Sequence, residues 1–287
     1  MTCDVSGVLS DAVRNFGPKR QGAVRVHRLW ADDPEPEYHD CSASNARASR
    51  PIYTPLDAAP YVGYGQNMNT CTITLAGSTL HALGSGALFW PEHNLLCVSD
   101  LHLGKAERIA RRGGGHLPPY ETRDTLTRLS SDLEITKART VICLGDSFDD
   151  LSAAQALPEP DRLWITRLQA GRRWVWIEGN HDPGPIEYGG THLAELLRPP
   201  LTFRHMARSG SSGEVSGHYH PKATLHAHGR TITRPAFLLD GYRLIMPAYG
   251  TYTGGLRSDN PALTQLMQPD ARAILTGPKP LPIPMPR

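Results

Sequence analysis

Short apolar runs followed by polar residues recur along the chain from residue 71 onwards. They are ITLAG, ALFW, LLCVSD, VICLGD, WVWIEGN, EVSGH, AFLLD and RLIMPA. Runs of this length, bounded by Gly, Asp, Asn or Pro, are typical of β-strands. Between LLCVSD and VICLGD, Leu126, Leu129 and Leu133 follow a helical period, which predicts an amphipathic helix over residues 120–137. A second helix is predicted at about residues 160–170.

The order of these elements predicts the fold class. Strands and helices alternate in the middle of the chain, and strands predominate at both ends. This order is typical of an α/β fold in which two sheets pack together and helices flank them. The closing PKPLPIPMPR is rich in proline, and we expect it to form an extended tail without regular structure.

The first 67 residues differ in composition from the rest. They contain ADDPEPEYHD and SASNARASRP, which are rich in Pro, Ser and Asn and lack an apolar period. Such composition predicts a disordered N-terminal extension over residues 1–67. Because Met68 directly precedes the first strand-like run, an alternative is that translation starts there and the upstream stretch is a misassigned gene start. Residues 68–287 form the predicted globular domain.

Composition and charge narrow the class of protein. With 39% hydrophobic residues the chain can form a core, and its net charge of +2 gives no overall attraction to nucleic acid. It has no run of about 18 apolar residues and no signal-like N-terminus, so we expect a cytoplasmic protein without a membrane segment. The five cysteines form no CxxC pair, which argues against a disulfide framework and a thiolate zinc site. Cys97 and Cys143 lie in apolar runs and are predicted core residues.

Polar side chains that can bind metals directly follow several predicted strands. SDLH, GDSFDD and GNHD each stand at the carboxyl end of an apolar run, where open α/β sheets bind ligands. A buried carboxylate or imidazole is unfavourable unless it is paired or bound to a metal, and a pair of divalent cations would be a common partner. Asp100 and His102 are two apart, so on an extended chain they would project to the same side, and Asp146 could bridge two ions. His205 is the least secure candidate, because a strand histidine without a ligand role is the alternative. The candidate ligands are Asp100, His102, Asp146, Asn180, His205, His218 and His220.

The order of the motifs resembles that of a known superfamily. DxH, GDxxD, GNHD, a single His and GHxH follow one another from Asp100 to His220, as in the calcineurin-like metallophosphoesterases. DLHLGK, LGDSFDD, GNHD, TFRHMA, SGHYHP and MPAYGTYTGG further resemble the bacterial ligase-associated DNA damage response endonuclease (PdeM) group, over about residues 72–285. The resemblance implies a four-layer αββα sandwich of two mixed β-sheets flanked by helices. It does not extend to the first 67 residues.

The resemblance also implies roles for individual residues. One metal ion would be held by Asp100, His102, Asp146 and His220, and the other by Asp146, Asn180, His205 and His218. His181, the second predicted catalytic residue beside Asp146, would donate a proton to the leaving oxygen. Asp149 and Asp182 would orient ligands from behind. Oxygen and imidazole ligands without thiolate suit Mn²⁺ foremost, with Fe, Zn, Co or Ni as alternatives, better than Mg or Ca.

Basic residues near the predicted metal site are weaker candidates for substrate contacts. Lys105, Arg108, Arg111 and Arg112 follow DLHLG and could contact a phosphate backbone, and Arg257 after YTGG could do the same. The alternative for the first group is a solvated basic loop.

The candidate ligands and His181 predict a metal-dependent phosphodiesterase, and the resemblance implies that it is a DNA endonuclease in DNA damage repair. DNA is the expected substrate, and the resemblance implies a DNA ligase and a helicase as partners. One alternative is a phosphohydrolase of small molecules or nucleotide-sugar lipids, although the short stretch between His205 and His218 leaves little chain for an apolar cap. An alternative of another class is a catalytically silent, metal-containing binding module in a repair complex. The sequence does not specify the oligomeric state.

Overall fold

The computed structural model describes residues 69–114, 117–184, 186–227 and 229–287. The predicted N-terminal extension, residues 1–67, and the alternative start at Met68 lie outside the described residues. The first described strand begins at Thr70, one residue before the predicted CTITLAG run, and extends to Leu75 within that run.

The first sheet joins an antiparallel N-terminal meander to parallel strands from the middle of the chain. Within the described residues its strands lie in chain order: β1 (Thr70–Leu75), β2 (Ser78–Leu83), β3 (Leu88–Trp90), β4 (Leu95–Val98), β5 (Thr140–Leu144), β6 (Arg173–Ile177) and β7 (Thr191–Leu193). Strands β1 to β4 are antiparallel, whereas β4 to β7 are parallel. Every residue of β4 and β5 is buried, as expected for strands covered on both faces. The carboxyl ends of β4, β5 and β6 therefore meet at one edge.

The second sheet is also mixed. Its strands are β8 (Glu195–Arg198), β9 (Leu201–Arg204), β10 (Glu214–Ser216), β11 (Lys222–Ala227), β12 (Arg230–Leu239), β13 (Arg243–Ile245), β14 (Arg272–Leu275) and β15 (Leu281–Pro284). The order across the sheet is β15-β14-β12-β13-β10-β9-β8, and β11 pairs with the first half of β12. Strands β9, β10 and β13 are parallel, and the other pairs are antiparallel.

Helices flank the sheets. They are α1 (Lys105–Arg111), α2 (Glu121–Thr136), α3 (Leu151–Ala156), α4 (Glu159–Gln169) and α5 (Pro261–Thr264). Both predicted helices are confirmed as α2 and α4, and the predicted apolar stripe of α2, Leu126, Leu129 and Leu133, is buried. None of the helices in the described part of the chain is long and apolar enough to cross a membrane.

The core lies in layers, because strand residues alternate between the two faces of each sheet. In β5, Ile142 and Leu144 face the second sheet, whereas Val141 and Cys143 face α2 and α4. Burial of Cys97 and Cys143 agrees with their predicted core positions. The outer face of the second sheet is covered by α5 and the chain that follows it. The predicted sandwich of two mixed sheets flanked by helices is confirmed.

One local alternative and one local prediction were wrong. The alternative of a basic loop at residues 105–112 fails because these residues are largely helix α1, and Thr122 Oγ1 and Glu121 Oε1 of the neighbouring α2 accept hydrogen bonds from its first amides. The expected unstructured C-terminal tail contains β15, which pairs with β14 at the edge of the second sheet. An edge strand tolerates proline, because one side of its backbone needs no ladder hydrogen bonds.

The packing of α2 on the first sheet predicts the effect of truncating its stripe. We expect Leu129→Ala to lower the free energy of unfolding by about 2–5 kcal/mol. The truncation removes apolar contacts between α2 and the first sheet and leaves a cavity there. Urea unfolding followed by circular dichroism measures this change. The control is Ile135→Ala on the exposed side of α2, which we expect to cost less than about 1 kcal/mol. Equal losses in both variants would show that α2 does not pack as described.

Candidate metal centre

Loops from both sheets meet at one edge of the sandwich. After β4, β5 and β6 the chain presents residues 99–103, 145–150 and 178–182, and after β9 and β10 it presents His205 and residues 217–220. Backbone hydrogen bonds join the first two loops: Asp100 N donates to Gly145 O, and His102 N donates to Asp146 O. Gly217 N donates to His205 O in the second sheet. All seven predicted metal ligands therefore lie in one region.

Five of these seven side chains are placed by left-handed backbone. The residues with positive φ are Asp100 (53°), His102 (44°), Asp146 (46°), His218 (71°) and His220 (46°). The prediction that Asp100 and His102 converge because the chain is extended was therefore wrong about the cause. Left-handed backbone costs about 1–2 kcal/mol per non-glycine residue and concentrates at functional sites. Left-handed backbone at these positions, rather than an extended strand, therefore sets the directions of the five side chains.

The first cluster contains Asp100, His102 and His220, whose potential ligand atoms lie within 4.8 Å of one another. His220 Nε2 is 3.2 Å from Asp100 Oδ1 and 3.3 Å from His102 Nε2. Two ligand atoms bound to one ion at about 2.0–2.2 Å are themselves about 3 Å apart, so this spacing fits a shared cation.

The second cluster contains Asp146, His205 and His218 and has the same compactness. His205 Nε2 is 3.4 Å from Asp146 Oδ2, 3.2 Å from His218 Nδ1 and 3.0 Å from Asn180 Oδ1. The predicted alternative for His205, a strand histidine without a role, does not account for these three groups around Nε2.

Asp146 lies between the clusters. Its Oδ2 is 3.4 Å from His205 Nε2 in the second cluster and 3.9 Å from His102 Nε2 in the first. Its other oxygen, Oδ1, accepts a hydrogen bond of 2.9 Å from His181 N. Asp146 is thus the carboxylate that is positioned to contact ions at both clusters.

The electrostatics of the region favour positive charge. Burial alone would raise the pKa of Asp100 and Asp146, but the surrounding imidazoles lower both pKa values below their ordinary range. Burial would lower the pKa of His205, yet Asp146 and Asp100 raise it to about 9. The negative charges of the two buried carboxylates favour the protonated form of His205, and they would favour a bound divalent cation for the same reason. The donor set therefore fits metal ions.

Hydrogen bonds orient two of the imidazoles towards the centre. Leu144 O lies 3.0 Å from His205 Nδ1, and a carbonyl can only accept, so Nδ1 carries the proton. Asp149 Oδ1 lies 2.8 Å from His102 Nδ1 and accepts from it in the same way. In both side chains Nε2 is then the nitrogen that would bind a cation, which in His205 would replace a proton, as in other metal sites where a partner fixes the imidazole.

Asp149 is fully buried and contacts several side chains around the site. Its carboxylate contacts His102, Arg108 and Lys105, the last at 3.7 Å. Burial would raise its pKa, but the hydrogen bonds from His102 and Arg108 lower it to about 2. Its backbone oxygen accepts a hydrogen bond of 2.8 Å from His181 Nδ1. Asp149 therefore contacts both a candidate ligand and the candidate acid, as its predicted orienting role requires.

Asp182 holds the loops together rather than contacting an imidazole. Its carboxylate accepts backbone hydrogen bonds from Ser147 (2.8 Å), Phe148 (3.1 Å) and Gly179 (3.1 Å). Burial raises the pKa of Asp182 to about 6, with a further contribution from the charge of Asp146, against the effect of these donors. The carboxylate ties the loop after β5 to the loop after β6.

Two glycines permit the close approach of the loops. A Cβ at Gly179 would collide with the backbone nitrogen and Oδ1 of Asp146, and one at Gly217 would collide with Ser99 Oγ and Asp100 Oδ2. Only glycine fits at these two positions, because atoms of the neighbouring loops occupy the space that a Cβ would fill.

The predicted basic residues fall into two groups. Lys105 and Arg108 lie on α1 beside Asp149, with about one fifth of each side chain exposed. Arg112 lies 3.7 Å from Asp150, and Arg257 lies 2.7 Å from Asp259, both largely in solvent. Lys105 and Arg108 therefore lie beside Asp149, which in turn contacts the candidate ligand His102.

Two further residues, Ser99 and Gly250, contribute to the site without a recognisable signal in the sequence. Ser99 Oγ donates a hydrogen bond of 2.5 Å to Asp100 Oδ2, and Gly250 N donates one of 3.1 Å to Asp100 O. Serine before Asp100 carries no signal by itself, because serine is common at strand ends. Gly250 lies in MPAYGTYTGG, which was noted for its resemblance but given no role.

The fold and the double Asp/His cluster define a metallophosphoesterase. Residues 93–263 match the family model of the calcineurin-like phosphoesterases, and the chain belongs to this family of metal-dependent phosphoester hydrolases. Members of the family typically bind two divalent metal ions. A solved structure, the nuclease MPE of Pseudomonas putida, is similar to this chain with a TM-score of 0.59 and 29% identity. The similarity covers 74% of this chain and 100% of the nuclease chain. A search of curated proteins finds no match.

The close contacts of Gly179 predict that a single added methyl group there prevents metal binding. We expect Gly179→Ala to abolish tight metal binding, because the new Cβ would displace Asp146, which lies between the two clusters. Metal content of the purified protein by mass spectrometry measures this loss. Gly241→Ala is the matched control, because a Cβ there meets nothing within 4 Å, and it should keep the metal content of the wild type. Full metal content in Gly179→Ala would contradict the described loop packing.

Proposed function

We propose that this chain is a metal-dependent nuclease that hydrolyses phosphodiester bonds in DNA. The observation that carries the proposal is the match over the whole length of a nuclease structure, at 29% identity, by a chain with two Asp/His clusters around a shared carboxylate. Fold alone does not identify a substrate, so the proposal depends on this relative and on the geometry of the centre together.

The proposed ligands follow the two clusters. One ion would be held by Asp100, His102, Asp146 and His220, and the other by Asp146, Asn180, His205 and His218. The mixture of oxygen and imidazole donors favours Mn²⁺, with Fe, Zn, Co or Ni as alternatives. Bound ions would supply Lewis-acid stabilisation of the charge that develops on the phosphate.

The protein side chains would position the phosphodiester and move the proton. His181 Nδ1 donates to Asp149 O, so its Nε2 is the nitrogen available to a substrate. A ring nitrogen of His181 lies within 4.8 Å of ligand atoms of His102 and Asp146. Nε2 would protonate the leaving oxygen as the phosphoester bond breaks. Lys105 and Arg108 would contact phosphate oxygens at the rim.

The surroundings of the centre suit a large polar substrate. The chain from His205 to His218 is short, and it forms no helix in the described structure. Met206, beside His205, is half exposed, and His218 and His220 are partly open to solvent. A polymer can therefore reach the metals. A lipid substrate would need an apolar cap or an amphipathic membrane-binding helix, and neither is built from this interval.

The proposal extends to a role in DNA repair. Its support is the resemblance of DLHLGK, SGHYHP and MPAYGTYTGG to ligase-associated DNA damage response endonucleases. A DNA ligase and a helicase are the partners that this resemblance implies, and co-purification with them would test the role.

The central experiment compares substrates and variants in the presence of Mn²⁺. Wild-type protein should hydrolyse bis-p-nitrophenyl phosphate and cleave single- or double-stranded DNA. Asp146→Asn should lose both activities and bound metal, because it removes the shared carboxylate. His181→Ala should lose about 10²–10⁴-fold in kcat at unchanged metal content, because it removes the proton donor.

The control for the histidine variant is His226→Ala, an exposed residue of β11, which should behave as wild type. Diester hydrolysis without DNA cleavage would overturn the nuclease proposal and leave the phosphoesterase. Full activity in His181→Ala would remove its proposed role as acid. Wild-type protein that binds metal but hydrolyses neither substrate would favour a silent binding module.

Support of His102 by Asp149 yields a separate prediction. Asp149→Asn keeps the shape of the side chain but removes the charge that contacts His102, Arg108 and Lys105. We expect metal affinity to fall by about 10–100-fold, as for other partners of ligating histidines. Competition with a fluorescent chelator measures the affinity. Asp150→Asn is the control, because asparagine caps α3 as well as aspartate does. Equal affinities for the two variants would contradict the assigned role of Asp149.

A further inference from the structure

The segment from Tyr249 to Leu256 runs along the metal centre. Tyr249 N donates to Ser99 O at 2.7 Å, and Gly250 N donates to Asp100 O at 3.1 Å. At the far end of the segment, a Cβ on Gly255 would collide with His220 O. The residues between these glycines are therefore held beside the first cluster, which contains both Asp100 and His220.

The same segment is fastened to α2. Thr251 N donates to Thr125 Oγ1 at 3.1 Å, Thr251 Oγ1 donates to Asp124 Oδ2 at 2.5 Å, and Arg128 Nη2 donates to Thr251 Oγ1 at 2.9 Å. Arg128 also forms an ion pair with Asp124, with 3.1 Å between Nη2 and Oδ2. The next residue, Tyr252, has a left-handed backbone with φ of 63°. Consecutive residues advance about 3.3–3.6 Å at most, so the Tyr252 Cα lies within about 7 Å of that of Gly250.

A second aromatic ring faces Tyr252. Tyr120 lies directly before α2, and its ring centroid is 5.8 Å from that of Tyr252 at an interplanar angle of 53°. Tyr120 is 55% exposed, so its ring is not part of the core. Two residues further on, Thr122 Oγ1 accepts a hydrogen bond of 3.0 Å from Gly104 N. Gly104 follows His102 by two residues, so Tyr120 borders the other chain segment of the first cluster.

We propose that Tyr120 and Tyr252 form a stacking platform for a nucleobase of single-stranded nucleic acid beside the metal centre. This inference rests on the proposed nuclease function and names the form of its substrate. Aromatic side chains bind single strands because every unpaired base offers a π-face, whereas the bases of a duplex are already stacked. Lys105 and Arg108, next to Gly104, would hold the adjoining phosphate, so the platform places the base on one side of the scissile bond.

Equilibrium binding tests the platform. The background is the Mn²⁺-loaded His181→Ala protein, whose slow cleavage allows binding to be measured before the strand is cut. Fluorescence anisotropy would give Kd for a labelled single-stranded oligonucleotide and for an abasic strand of equal length and charge. We expect Tyr120→Leu and Tyr252→Leu each to weaken binding of the base-containing strand by about 5- to 150-fold. The loss on the abasic strand should be much smaller, because no base is present to stack. Leucine at residue 252 carries the same backbone strain as tyrosine.

Two further variants control for the aromatic ring and for general surface effects. Tyr120→Phe keeps the ring and should keep the affinity of its parent. Tyr242→Leu changes a similarly exposed tyrosine, 52% exposed, in the turn between β12 and β13, and should leave Kd unchanged.

Failure of the platform and failure of the nuclease proposal would differ in their results. Unchanged Kd in both leucine variants, equal losses on the two strands, or no binding by the parent would overturn the platform. Absence of DNA cleavage by wild-type protein would overturn the nuclease proposal alone, and a base-dependent loss of binding would still support the platform.

Discussion

The burial of two carboxylates among imidazoles is the constraint on which this structure depends. Asp100 and Asp146 are almost fully excluded from solvent, and such charges are unfavourable in a protein interior without a compensating positive charge. The charges of Asp146 and Asp100 raise the pKa of His205 to about 9, against the effect of burial. In a metallophosphoesterase divalent cations supply positive charge, so the burial of these carboxylates favours metal binding.

The loops that carry the buried carboxylates contain strained backbone. Left-handed backbone at Asp100, His102 and Asp146 is unfavourable for each residue taken alone. Hydrogen bonds from loop to loop and the carboxylate of Asp182 hold these conformations in place. Gly179 then allows the loop after β6 to approach Asp146. Strain at the centre is thus offset by connections that lie outside the ligand set.

The two sheets determine which residues can share the centre. Parallel strands β4, β5 and β6 of the first sheet deliver Asp100, Asp146 and Asn180 to one edge, and β9 and β10 of the second deliver His205 and the histidines after Gly217. The apolar layer between the sheets fixes their relative position. Helix α2 contacts the chain next to the first cluster, because Thr122 Oγ1 accepts a hydrogen bond from Gly104 N, and Tyr120 directly before α2 lies against Tyr252.

The sequence by itself determined the sandwich, because the apolar periods of strands and of α2 are set by local side-chain alternation. It also determined the candidate ligands, because carboxylates and imidazoles after apolar runs need a common partner. Tertiary structure alone decided the rest. Helix α1 forms because α2 accepts hydrogen bonds from its first amides, and β15 forms because β14 provides a partner strand. The convergence of Asp100 and His102 depends on left-handed backbone held by distant loops, and the pairing of Tyr120 with Tyr252 spans 132 positions of sequence. Local periodicity carries no information about contacts between residues so far apart.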